Sequence, residues 1–190
     1  MSKINFKLAF LSTILCLGVA GVANASSSSG LILEGGLHFG GDRLQTVYTS
    51  NGTSEVKAGG GLSFGIGIGV DLAPDMESRI TFGVKRDGVF GSNGEVTFTR
   101  YPIDVLILKK LDGWKLGGGV TYHLNPEYAD TIYPAIYDKY DDALGFLLEL
   151  DRDLGLVYVG GRVTVIDYKI TNTSINKSGN SFSLVGGIRF

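Results

Sequence analysis

Between Ser54 and Leu72 apolar and polar or small residues alternate without interruption. Val56, Ala58, Gly60, Leu62, Phe64, Ile66, Ile68 and Val70 fall on one face. Lys57, Gly59, Gly61, Ser63, Gly65, Gly67, Gly69 and Asp71 fall on the other. Successive side chains of a strand point to opposite faces, so a period of two predicts a strand with one greasy side. Its length exceeds the roughly five or six residues usual in globular sheets, and also the nine to eleven, approximately, that a tilted strand needs to cross a bilayer.

Seven more segments read the same way. Gly30 to Gly41 sets Leu31, Leu33, Leu37 and Phe39 against Glu34 and His38, and Ser78 to Arg86 sets Ile80, Phe82 and Val84 against Arg79, Thr81 and Lys85. Glu95 to Lys109 places Tyr101, Ile103, Val105 and Ile107 opposite Asp104. Trp114 to Leu124 places Trp114, Leu116, Val120 and Tyr122 opposite Lys115, Thr121 and His123. In Asp141 to Leu150, Leu144, Phe146, Leu148 and Leu150 oppose Glu149. In Gly155 to Tyr168, Val157, Val159, Val163 and Val165 oppose Tyr158, Arg162 and Thr164. The chain ends on Phe182 to Phe190, with Phe182, Leu184, Gly186, Ile188 and Phe190 on one face and Ser183, Val185, Gly187 and Arg189 on the other.

The connections alternate in length. Residues 42–53, 87–94, 125–140 and 169–180 form long links, and 73–77, 110–113 and 151–154 form short ones. Small membrane barrels show long extracellular loops and short periplasmic turns. The expected fold is therefore all-β: a transmembrane, antiparallel, up-and-down barrel of eight strands with both mature termini in the periplasm. A soluble ligand-binding barrel would invert the faces, with an apolar cavity inside and a polar wall outside. Here the ionisable residues share faces with glycine and small polar residues, and the bulky faces carry almost none.

The amino terminus adds a compartment. Lys3 and Lys7 precede an apolar run from Leu8 to Val22, and Ala23-Asn24-Ala25 supplies small residues where a signal peptidase cuts. Residues 1–25 are read as a signal peptide and 26–190 as the barrel domain. Cys16, the one cysteine, lies in that leader without the small residue that normally precedes a lipidated cysteine, so no disulfide, thiolate metal site or lipid anchor is expected. Removing Lys3 and Lys7 takes Lys+Arg from 17 to 15 against 19 acidic residues, a balance that gives no reason to expect nucleic-acid binding. After residue 25 no apolar run is long enough for a membrane helix, so a spanning structure must be a closed barrel.

The inward set expected in the lumen is Glu34, Lys57, Asp71, Arg79, Lys85, Asp104, Lys115, Glu149, Arg162 and Arg189. Six are basic and four acidic, so they can neutralise one another, as buried charges must. Gly59, Gly61, Gly65, Gly67 and Gly69 on the same side would leave room for long Arg and Lys side chains from facing walls. A salt-bridge plug is the favoured reading and a narrow polar pathway for ions or amphiphiles the alternative.

Candidate chemistry is sparse. His38 and His123 both point inward near the extracellular end, and neither has a serine beside it in sequence. Triads are defined by geometry and not by chain order, so a distant serine could still meet a histidine. Lumen hydrogen bonding nevertheless accounts better for both, and no enzyme, cofactor or metal site is expected. The segment 125–140 holds Glu127, Asp130 and Asp138 with Tyr128, Tyr133, Tyr137 and Tyr140. Asp141 and Asp142 follow it. Its tyrosines suit a contact surface or the membrane boundary, and its carboxylates lack the spacing of a calcium loop.

Several stretches resemble the small OmpA-like and OmpX-like outer-membrane barrels. They are Tyr101-Pro-Ile-Asp-Val-Leu-Ile-Leu108, Leu116 to Pro126, Asp142 to Glu149, Gly161 to Tyr168 and the terminal Phe182 to Phe190. The resemblance implies a bacterial outer-membrane location with lipids and lipopolysaccharide as surroundings. It also implies recognition of the closing strand and Phe190 by the barrel-assembly machinery. Roles in such families range over membrane-stabilising, adhesive and channel-like. No catalytic residue is carried over, and with no periplasmic domain after Phe190 an anchoring role is not expected.

Overall fold

Eight strands pair each with the next until the last meets the first. The computed structural model describes residues 29–49, 52–91, 94–132 and 135–190; the leader reading of 1–25 lies outside them. The wall consists of β1 (Ser29–Gly40), β4 (Gly61–Ala73), β5 (Met76–Gly91), β6 (Gly94–Leu111), β7 (Trp114–Asp130), β9 (Ala143–Asp153), β10 (Val157–Lys169) and β12 (Ser181–Arg189). Four shorter strands, β2 (Arg43–Thr49), β3 (Gly52–Lys57), β8 (Ile136–Lys139) and β11 (Asn176–Ser178), stand at one end. Every neighbouring pair of wall strands is antiparallel, and β1 closes on β12 from Ile32↔Arg189 to Gly40↔Ser181. The amide of Phe190 donates to the Leu31 carbonyl at 2.9 Å, and the Leu31 amide donates back at 3.1 Å. Closure leaves the wall no free edge. No helix occurs among the described residues.

At the lower end the strands join through tight turns. Asp112 (φ 45°) and Gly113 (φ 77°) both lie in the left-handed region, as a two-residue hairpin of type I′ needs; Asp-Gly supplies that geometry. Pro74 and Asp75 join β4 to β5, and Gly155 sits at φ 91° between β9 and β10.

The upper end departs from expectation. The expected strand Ser54 to Leu72 is two strands, β3 and β4, broken at Ala58–Gly60, and Gly61 carries a φ of 107°. A Cβ on Gly41 would lie 2.1 Å from the Gly59 nitrogen, so the chain crosses itself here at backbone contact. The segments 42–53, 87–94, 125–140 and 169–180 contain sheet where loops were expected: a β2–β3 hairpin, continuations of β5, β6 and β7, and the short β8 and β11. These continuations persist because they enclose a core of their own. Val56, Ala58, Val96, Phe98, Tyr128, Tyr140, Ala143, Ile166 and Tyr168 are buried together, with the Phe98 ring edge-on to Tyr140 and Tyr168 at centroid distances of 5.3 Å. Val56 and Ala58, expected on the outer face, therefore point into an apolar cap above the barrel.

The wall itself follows the alternation. Leu33, Phe64, Ile66, Phe82, Phe146, Leu148, Val163 and Leu184 are exposed on the outside, while Arg79, Asp104, Lys115, Glu149 and Arg162 are buried on the inside.

Candidate functional site: a charge-filled lumen

Alternation on every wall strand delivers ionisable groups to one axis, where they sort into layers. The central layer is built on two arginines. Arg162 on β10 donates to Glu34 Oε1 at 2.7 Å, to Asp104 Oδ2 at 3.0 Å and, through Nε, to Glu149 Oε2. Arg79 on β5 donates to Glu149 Oε1 at 2.6 Å and to Asp151 Oδ2 at 3.0 Å, and stacks over the Tyr158 ring at 4.1 Å. Glu34 Oε2 accepts the Tyr158 hydroxyl at 2.7 Å, and Asp104 Oδ1 accepts the Thr121 hydroxyl at 2.5 Å. A planar guanidinium offers five donors in a fixed fork, so one arginine can serve several carboxylates.

The lower layer is held by lysine and arginine together. Lys115 bridges Glu77 (2.9 Å) and Asp153 (2.8 Å). Arg189 reaches Glu77 at 3.0 Å and Asp71 at 3.2 Å, and Lys110 pairs with Asp71 at 2.8 Å. Gly69 faces this layer: a Cβ there would lie 3.0 Å from Ile32 Cδ1 and 3.3 Å from Glu77 Oε1, so the missing side chain leaves those two groups their space. Gly67 has a different reason. Its Cβ would meet the Ile80 carbonyl oxygen at 2.1 Å, which makes it a site of close backbone approach.

The upper layer is neutral-polar and basic. His38 has Ser63 Oγ on Nε2 at 2.7 Å and Ser183 Oγ on Nδ1 at 2.6 Å, and His123 Nδ1 meets the Tyr168 hydroxyl at 2.6 Å. Arg100 donates to the carbonyls of Gly60 (2.7 Å) and Phe98 (3.1 Å). The serines absent from the sequence neighbourhood of His38 thus reach it in space. Two serines share one ring inside the wall, and among the described residues no carboxylate hydrogen-bonds to it, the third member that a nucleophile–base–acid set uses.

Nine of the ten expected residues face the lumen, and Lys57 does not. Its side chain is 42 % exposed on β3 and pairs with Glu55 at 3.1 Å, because the break at Ala58–Gly60 removes it from the wall's alternation. Glu55 also meets Arg43 at 3.3 Å; hydrogen bonding from Lys57, then from Arg43, holds its carboxyl below the usual range. Gly59 and Gly61, grouped with the space-making glycines, belong to that same break. Glu77, Asp151 and Arg100 were missed. Each continues an inward parity, Glu77 with Arg79, Asp151 with Glu149 and Arg100 with Asp104, and that parity was the available signal.

An outward apolar belt around an inward salt-bridge network defines a membrane-type barrel, since lipid is the solvent that accepts the first and excludes the second. The chain matches no protein-family model, and no curated protein sequence is similar to it. Among solved structures it is similar to Ail, the attachment invasion locus protein of Yersinia pestis, at 12% identity and a TM-score of 0.54, covering 87% of this chain and 100% of that one. It is likewise similar to the Neisserial surface protein A, at 16% identity and a TM-score of 0.51, with the same coverage. Both are eight-stranded outer-membrane barrels, and the likeness is one of fold.

Proposed function

We propose that this chain is an integral protein of a bacterial outer membrane with a structural or surface-interaction role, its lumen closed by paired charges. The observation that carries the reading is the central layer, where Arg79 and Arg162 bind Glu34, Asp104, Glu149 and Asp151 across the bore. An eight-strand barrel is narrow enough for side chains to fill. The tight turns then face the periplasm and the β2–β3, β5–β6 and β7–β8 projections face outward, presenting Tyr48, Phe90, Ile136 and Tyr137 to solvent. Lipids and lipopolysaccharide are the partners of the belt, and the closing strand with Phe190 is the segment for the assembly machinery to read. The extracellular partner has no signature in these residues. Ail was crystallised with the heparin analogue sucrose octasulfate. In this chain the segment from the upper end of β7 to the start of β9 carries Glu127, Asp130, Asp138, Asp141 and Asp142 against Lys139, which does not favour a polyanion.

Planar-bilayer recording tests the closed lumen: the purified barrel is expected to insert without steady unitary conductance, and steady openings would replace the plug with the channel reading. A deletion strain tests the role. Increased outer-membrane permeability, or lost surface binding restored only by a gene with its upper hairpins intact, is the expected result; a strain unchanged in both respects refutes it. Lipid A from the same strains, compared by mass spectrometry, is expected to be identical, and a change in acylation reversed by complementation would revive an enzyme.

A further inference from the structure

Lys85, on β5 above the central layer, is 3 % exposed and lines a partly open polar chamber of about 30 Å³. That is room for one or two particles the size of water. Among the described residues no ion pair and no hydrogen bond involves its ammonium group. The two carboxylates lining the chamber are already engaged. Asp104 takes Thr121 and Arg162, and Glu34 takes Tyr158 and Arg162.

Of the other lining side chains, Arg162 and Thr121 donate to these carboxylates and Ser63 is bonded to His38, which leaves the His123 ring and two threonine hydroxyls. The Arg100 guanidinium lies beside the Tyr168 hydroxyl, which turns the hydroxyl proton away from it and toward His123 Nδ1. A neutral imidazole accepting at Nδ1 carries its own proton on Nε2. Thr81 and Thr164 line the same chamber, with no side-chain hydrogen bond among the described residues. Asp104 and Asp87 attract the Lys85 ammonium from a distance without pairing with it, and a buried ammonium is disfavoured until its donors are matched. Committed carboxylates, an uncommitted ammonium, two uncommitted hydroxyls and a small cavity suit one occupant.

We propose that the chamber is a binding site for a single small monovalent anion of the halide class, held by Lys85 with donors from His123, Thr81 and Thr164. Sulfate and phosphate are too large for the space. His38 lines both the chamber and an open crevice of about 490 Å³ bordered by Glu55, Lys57 and Asp87, so it is the partition through which the ion exchanges with the upper solvent.

The test uses the folded barrel in detergent, first in gluconate and then with chloride, bromide or sulfate at matched ionic strength. The unfolding midpoint is expected to rise with the logarithm of halide concentration and to ignore sulfate. Lys85→Met should lose the halide response, and Lys85→Arg should keep part of it. Folding of each variant is read from its heat-modifiable gel migration. Crystals of the unaltered protein grown in bromide should show an anomalous peak at hydrogen-bonding distance from Lys85 Nζ, a result that does not depend on any variant folding. Water alone in the chamber, a midpoint indifferent to halide, or a halide response that survives in a folded Lys85→Met protein overturns the proposal.

Discussion

Arg162 ties three other strands together through one guanidinium, 4 % exposed and hydrogen-bonded to Glu34 on β1, Asp104 on β6 and Glu149 on β9. Its neutral replacement, Arg162→Met, leaves Glu34, Asp104 and Glu149 sharing fewer positive charges in a dry interior. Removing one partner of a buried pair costs about 3–5 kcal/mol. That loss should appear as a lower urea midpoint, followed through Trp114, the sole tryptophan. Adding Glu149→Gln and Asp104→Asn to Arg162→Met should recover part of it, since the penalty is uncompensated charge and not lost volume. A midpoint unchanged by Arg162→Met would mean that water, not protein, screens the central layer.

Among elements, the β2–β3 hairpin matters most, because it closes the apolar cap with Val56 and Ala58. Replacing residues 43–57 with a short Gly-Ser link should uncover Phe98, Val96 and Tyr168 while leaving the eight-strand ladder paired. The expected signature is new protease cutting in the upper parts of β6 and β7 with heat-modifiable migration retained; loss of barrel migration would show that the cap is needed for closure. The hairpin also carries a pH dependence. Lys57 and Arg43 hold the Glu55 carboxyl below its usual range, so the stability it contributes is present above the unfolded carboxyl pKa and lost as pH falls through the lowered value. Amide exchange across β2–β3 should quicken on acidification, and Glu55→Gln should flatten that response.

For the whole molecule the controlling quantity is the direction of polarity. Phe146 is 64 % exposed on the outer face of β9, beside inward Glu149 on the same strand. Phe146→Arg should cost about 2–4 kcal/mol if that face meets the bilayer centre. The measurement is unfolding from lipid vesicles, and a cost near zero would place that face in water. The same orientation explains why a chain with hydrophobic residues at 44% keeps only a small apolar cluster, Leu106, Leu108 and Leu147, inside its wall: most of its apolar surface is turned outward.

Strand count, antiparallel closure and the inward placement of nine charged positions were legible in the alternation alone. Where one face meets lipid and the other a polar lumen, every second residue must be compatible with one environment, and local pattern then carries global information. The same rule failed at Val56, Lys57 and Ala58, because unbroken periodicity hides the turn at Ala58–Gly60, where glycine reads equally well as strand or as break. It reached Glu77 and Asp151 only by parity beyond the expected strand ends, and it missed Arg100 inside one. Which carboxylate each arginine takes, which serines meet His38 and why Lys85 is left facing a chamber depend on the barrel's closure and strand registers. These bring residues as far apart in the chain as Glu34 and Arg162 to 2.7 Å, a contact that no local pattern specifies.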